Sequence, residues 1–185
     1  MPLDKWYDFP HCTVPVVRAR VQEIVNRAEG PRVLEVGCNE GFVAKALIEK
    51  GLEVVAVDNR KEARDAALQT FGIEAVNADI NALPYADGEF DTVIGAEILE
   101  HLPNPGKGLA ELFRVASKQV IITVPVGSYW NGELTHAWQL NGSSIEHDHG
   151  VVKPHVKEVF VIEFRKIRQL VGGSYENVHE GHGDR

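Results

Sequence analysis

The chain has 185 residues, 44% hydrophobic and 25% charged, which suits one globular domain whose core buries roughly 70% of the surface the unfolded chain exposes. No apolar run approaches the roughly eighteen residues that span a bilayer, and the opening MPLDKWYDFPHC lacks the basic and apolar regions of a secretory signal, so the expectation is no membrane partner and a cytoplasmic location. A net charge of −8 disfavours a nucleic-acid partner, and two cysteines in unlike settings, Cys12 and Cys38, suggest neither a disulfide framework nor a zinc site.

Thr13 can cap a first helix, Pro15 suits its first turn, and Val17, Val21, Ile24 and Val25 recur at helical spacing until Gly30-Pro31 stops it. Apolar runs then alternate with helical patterns: RVLEV, FVAKALIEKG, EVVAVD, KEARDAALQTFG, IEAVNAD, FDTVIGAE, GKGLAELFRVAS and QVIITVPV. Five short strands rich in Val and Ile, with helices between them, predict a mostly parallel α/β sheet covered on both faces. From Gly127 to His155 the rhythm breaks, and a loop of that length in a compact domain reads as a lid over a binding site. Val156 to Val171 reads as a helix, and YENVHEG as the start of a last strand before a polar tail. One domain is thus predicted, with an N-terminal cap segment and helix (1–29), a ligand-binding core (30–126), a lid loop (127–155), and a C-terminal helix, short strand and tail (156–185).

The turn after the first strand is where a ligand belongs. A P-loop would need a lysine and a hydroxyl residue at a spacing absent after Gly37, and the dinucleotide fingerprint starting at Gly37 finds Asn39 and Phe42 where it needs glycines. Charge separates the options further. A dinucleotide sets its pyrophosphate at the helix N-terminus, where Glu35 and Glu40 would repel it. S-adenosylmethionine instead brings an ammonium and a sulfonium, which carboxylates at a strand end favour.

Glu35-Val36-Gly37-Cys38-Asn39-Glu40-Gly41 resembles the first motif of the class I S-adenosylmethionine-dependent methyltransferases, [D/E]-x-G-x-G-x-G, with Asn39 in place of the middle glycine. Asn is the non-glycine residue that most readily takes positive φ, so Asn39 is expected there. The resemblance covers about residues 30–172 and implies a Rossmann-like, doubly wound sheet of strand order 3-2-1-4-5 in a three-layer sandwich. Its C-terminal edge is expected to be either trimmed or completed by a partner chain.

The resemblance also implies cofactor-binding roles. Glu35, Gly37, Cys38, Asn39 and Gly41 hold the methionine end and the turn, Asp58 with Asn59 meets the ribose, and Asp79 and Ile80 meet the adenine. Ala96 and Glu97 line the cofactor beyond the fourth strand. AEILEHLPNP looks like the corresponding segment of the type 11 and type 23 small-molecule branch. His101 within it has three readings, a general base that would take the acceptor's proton, a side chain that packs the helix behind it, or a metal ligand. The implied activity is transfer of a methyl group to an oxygen or nitrogen of a small-molecule acceptor by a monomer or homodimer. Tyr129, Trp130, His136 and Trp138 of the lid would offer flat faces to that acceptor.

Three alternatives stay open. Glu97-x-x-Glu100-His101 also resembles the metal-binding motif of RNA 3′-terminal 2′-O-methyltransferases, with His147 or His149 as a further ligand. The others are an NAD(P)-dependent oxidoreductase and a non-catalytic S-adenosylmethionine-binding module.

Overall fold

The structure, a computed structural model, describes residues 15–125, 151–156 and 159–165, with side chains over 17–124. The predicted alternation is present. Helix α1 (Pro15–Arg27) leads into β1 (Arg32–Val36), α2 (Phe42–Glu49), β2 (Glu53–Val57) and α3 (Lys61–Phe71). Then come β3 (Phe90–Ala96), a 3-10 turn at Leu99–His101, α4 (Pro105–Val115) and β4 (Ala116–Pro125). Two further strands, β5 (Val151–Val156) and β6 (Val159–Arg165), complete a sheet of order β2-β1-β3-β4-β6-β5. The pairs β1–β2, β1–β3 and β3–β4 are parallel.

Strands β1, β3 and β4 are buried from both sides, and their residues alternate between the two layers as the period of two requires. Val33, Ile94 and Ile121 pack with Val21 and Ile24 of α1 and with Val43 and Leu47 of α2. Leu34, Val93, Val120 and Ile122 face the other way, onto Leu112 and Val115 of α4. Lys50 Nζ reaches back to the carbonyls of Val25 and Ala28 at 2.6 and 2.7 Å, satisfying acceptors at the C-terminal end of α1. Arg114 of α4 ties down the LPYADGEF turn through the carbonyls of Leu83 and Tyr85 at 2.9 and 2.7 Å.

A polar contact lies inside this packing. Thr92 is fully buried, and its hydroxyl is 2.7 Å from the Glu29 carbonyl and 2.8 Å from Gln119 Oε1. Gln119 Nε2 in turn donates to the Arg27 carbonyl at 3.2 Å. Thr92→Val keeps the shape and removes both the one hydrogen bond the hydroxyl donates and the one it accepts from the Glu29 N–H at 3.3 Å, so it is expected to cost about 1–3 kcal/mol, read as a lower urea midpoint at unchanged slope.

Several expectations are corrected, among them the strand order 3-2-1-4-5, whose strand 3 is absent so that β2 stands at that edge of the sheet. IEAVNAD forms no strand: it touches β2 through a single parallel bridge, Val57 to Val76, and turns back through a second bridge, Asp79 to Ala82. The Ala75 N–H is spent on the Ile73 carbonyl at 3.1 Å and Val76 is 44% exposed, so too little of the segment stays extended for a ladder. The helix predicted over Val156 to Val171 is instead strand β6, antiparallel to β4 in a register that sets Ile162 opposite Ile122. Its Val-, Ile- and Phe-rich sequence suits a pleated surface, and the open edge of β4 supplies the ladder. Residues 151–155, expected as the end of the lid, belong to β5, which pairs with β6. The edge expected to be trimmed or completed by a partner is instead extended past β4 by the chain's own β6 and β5. The predicted cap Thr13, the lid side chains, His147, His149 and YENVHEG lie outside the described residues. No helix among the described residues is long and apolar enough to cross a membrane.

Candidate active site

The glycine turn is built by its backbone. Gly37, Asn39 and Gly41 have φ of 77°, 47° and 83°, so the expected left-handed Asn39 is observed. The N–H groups of Gly37 and Cys38 both reach the Val57 carbonyl, at 2.8 and 3.0 Å, which fastens the turn to the tip of β2. A side chain at Gly37 would collide with Ile98. One at Gly41 would press on Ile73 and Ala67 of α3, so that glycine serves packing and the helix start rather than ligand approach.

A cleft of about 650 Å³ opens beyond the carboxyl ends of β1, β2 and β3. Of the residues predicted for the site, Glu35, Gly37, Cys38, Asn39, Asp58, Asn59, Ile80, Ala96, Glu97 and His101 line it. Gly41 and Asp79 do not. Asp79 is exposed, and its Oδ1 accepts from the N–H and Nδ2 of Asn81 at 2.8 and 3.0 Å, closing a local turn.

The carboxylates differ in their partners. Glu35 is 2% exposed and its Oε2 has no partner. Burial, with the Asp58 charge adding to it, pushes its carboxyl up to about 8. At the far end Glu97 has φ of 51°, a conformation that costs a non-glycine residue on the order of 1–3 kcal/mol, and pairs with Arg20 of α1 at 3.1 Å. Burial raises its pKa, and the Arg20 charge opposes the rise. Glu100, 1% exposed, is also pushed up to about 8 by burial and then by Glu97, and His101 Nε2 lies 3.9 Å from its Oε1.

Arg20 Nε and Glu100 Oε2 join Glu35 Oε2 as buried polar atoms without hydrogen-bond partners, while the Glu97 carboxyl lies beside the Thr123 hydroxyl. Buried polar groups are nearly always satisfied, and of the residues with these open atoms Arg20 and Glu35 line the cleft, where a polar ligand can meet atoms that the protein leaves open. Among the described residues, no three of His, Cys, Asp and Glu are arranged to hold a metal ion.

Sequence reasoning missed Arg20 as a site residue. It lies on α1 between the buried Val21 and the cleft-lining Val17, and nothing in its spacing distinguishes it from Arg18. Arg60 also lines the cleft, held against Asp58. Cys38 is buried with a free thiol pushed up to about 12 by burial, then by Glu35 and Asp58, which makes it a poor nucleophile.

A family profile described as a methyltransferase domain matches residues 34–124. The ubiquinone biosynthesis O-methyltransferase of Bordetella avium is 30% identical over 102 residues, which are 51% of this chain and 42% of that protein. The chain thus spans about two fifths of the length of that relative. Among solved structures, a SAM-dependent methyltransferase from Archaeoglobus fulgidus superposes with a TM-score of 0.66 at 15% identity, covering 82% of this chain and 93% of its own. A magnesium protoporphyrin IX methyltransferase from Synechocystis with bound SAM does so with a TM-score of 0.61 at 16% identity, covering 88% and 90%. At these identities the likeness is one of fold.

Proposed function

Residues 34–124 belong to the methyltransferase domain family, and we propose that the chain uses the cleft to bind S-adenosylmethionine and pass its methyl group to an oxygen or nitrogen of a small-molecule acceptor. The observation that carries this is Glu35, a buried carboxylate with an unpartnered oxygen at the foot of a glycine turn. An ammonium draws the proton off that carboxyl and pairs with its open oxygen, whereas a pyrophosphate brings no cation to offset the cost of ionising it. The O-methyltransferase relative in ubiquinone biosynthesis supports a hydroxyl acceptor. The free Cys38 thiol suits a reducing, cytoplasmic setting.

The residues divide the work. Asp58, at the tip of β2, would take the ribose hydroxyls, Ile80 would offer an apolar wall to the adenine, and Ala96 and Glu97 would line the methionine end. When bound, S-adenosylmethionine supplies an electrophilic methyl on a sulfonium. The protein contributes alignment, and His101, half exposed at the cleft wall, is placed to accept the proton that a hydroxyl acceptor loses.

Titration with S-adenosylmethionine, S-adenosylhomocysteine and NADPH tests the cofactor, and preference for NADPH overturns the proposal. His101→Asn is expected to change the S-adenosylhomocysteine dissociation constant less than about threefold. With a hydroxyl acceptor it should lower turnover by about a hundredfold, the scale of general-base catalysis. Unchanged turnover would remove His101 as the base.

A further inference from the structure

Asp58 is 3% exposed, and its carboxylate is already filled. Oδ1 accepts from the Arg60 backbone N–H at 2.9 Å and from Arg60 Nε at 3.3 Å. Oδ2 accepts from the Asn39 backbone N–H at 3.1 Å and from Arg60 Nη2 at 3.3 Å. A carboxylate has about four acceptor positions, so the set is complete. Two of the four donors are backbone amides placed by the fold. The other two are neighbouring N–H groups of one guanidinium, presented side by side as a vicinal diol presents its two O–H groups.

The guanidinium has a second hold. Arg60 Nη2 also donates to Asn39 Oδ1 at 3.2 Å. Asn39 stands where the first motif of this family has glycine, and a glycine has no side chain to offer there. Its left-handed backbone keeps the turn, and its side chain adds an anchor on the cleft side. Arg60 is 60% exposed, so swinging it into solvent uncovers little apolar surface.

We propose that Arg60 and Asn39 form a latch on the ribose subsite. In the ligand-free protein the guanidinium takes the two Asp58 acceptor positions that the diol of an adenosine ligand needs, and the ligand enters only when Arg60 swings out. The latch rests on the reading of Asp58 as the diol-binding residue. It lowers the apparent affinity for the ligand by the fraction of molecules in which it is open. An ion pair between a buried carboxylate and a largely exposed guanidinium, with several hydrogen bonds, sets that factor at roughly three- to tenfold.

The test is calorimetric titration of the full chain with S-adenosylhomocysteine and with its 2′,3′-dideoxy counterpart, in wild type, Arg60→Met and Asn39→Gly. Arg60→Met is expected to tighten S-adenosylhomocysteine roughly three- to tenfold and to leave the dideoxy ligand unchanged, because a ligand without the diol does not compete with the guanidinium. Asn39→Gly should show part of the same diol-dependent gain. Unchanged or weaker binding to Arg60→Met, with thermal midpoints within a few degrees of wild type, overturns the latch and makes Arg60 a support for the cofactor. An equal gain for both ligands overturns it too, by showing a general charge effect. If neither wild type nor variant binds either ligand, the adenosine reading of the cleft falls and the latch with it.

Discussion

Replacing Glu35 with glutamine is expected to stabilise the ligand-free protein at alkaline pH while weakening its hold on S-adenosylmethionine. In the folded, ligand-free state the Glu35 carboxyl keeps its proton up to about pH 8, whereas its ordinary value is 4.5. Between those values the native state binds more protons than the unfolded chain, so this group's contribution to stability is greatest below 4.5 and is lost as pH rises through about 8. Glutamine has nothing to ionise, and the variant should melt roughly 5 °C above wild type at pH 9 and close to it at pH 5. The opposite holds for the ligand. Loss of a charge-assisted hydrogen bond to the ammonium should cost roughly 1.5–3 kcal/mol, or about ten- to a hundredfold in affinity. Wild-type affinity should also climb from pH 6 to pH 8, as binding draws the proton off Glu35, and Glu35→Gln should lack that rise. Melting curves and titrations across this range check both halves, and equal affinity in the two proteins would rule out Glu35 as the partner of the cation.

Gly37→Ala should give the largest loss of stability among single changes in the turn. Gly37 sits at φ of 77°, where a side chain costs roughly 1–2 kcal/mol, and the added methyl would run into Ile98 Cδ1. Overpacking adds about another 1–3 kcal/mol, part of which the flexible end of Ile98 can relieve by moving. The net expectation is about 2–3 kcal/mol and a fall of roughly 5–10 °C in thermal midpoint. Ile98→Ala in the same chain removes the collision but not the backbone strain, so the double variant should recover only the packing part. Full recovery would show that the turn does not need glycine. Because Gly37 and Ile98 both line the cleft, cofactor binding should weaken in Gly37→Ala by more than stability alone accounts for.

Both predictions follow from a local stretch of chain, which is why so much of this site was legible. Glu35, Gly37 and Asn39 fall within five residues, and a strand running through a tight turn into a helix leaves few ways to place them. Asp58 and Ala96 follow from the same logic, since each ends a parallel strand and parallel strands bring their carboxyl ends to one edge. Where the logic relied on a strand that did not form, it failed. IEAVNAD makes only a bridge to β2, and Asp79 is turned to its own loop while Ile80 still reaches the cleft.

Composition and the alternation of strand and helix patterns are properties of short segments, so the sequence by itself determined the α/β class and the mostly parallel core, whereas the order 3-2-1-4-5 came from the family resemblance and lacks its outer strand 3 in the fold. Contacts between distant segments are another matter. VFVIEFR is apolar enough for either a helix or a strand, and only the free edge of β4 decides for the strand. Arg20 becomes a site residue only because α1 packs on the sheet so that its guanidinium meets Glu97, just past the end of β3. Arg60 is two residues from Asp58 in the chain, yet its grip on Asn39 spans 21 positions and depends on the turn and the tip of β2 being tied together. Side-chain partners of this kind are set by burial and by which hydrogen bonds the backbone has left unfilled, and those are known only once the chain has folded.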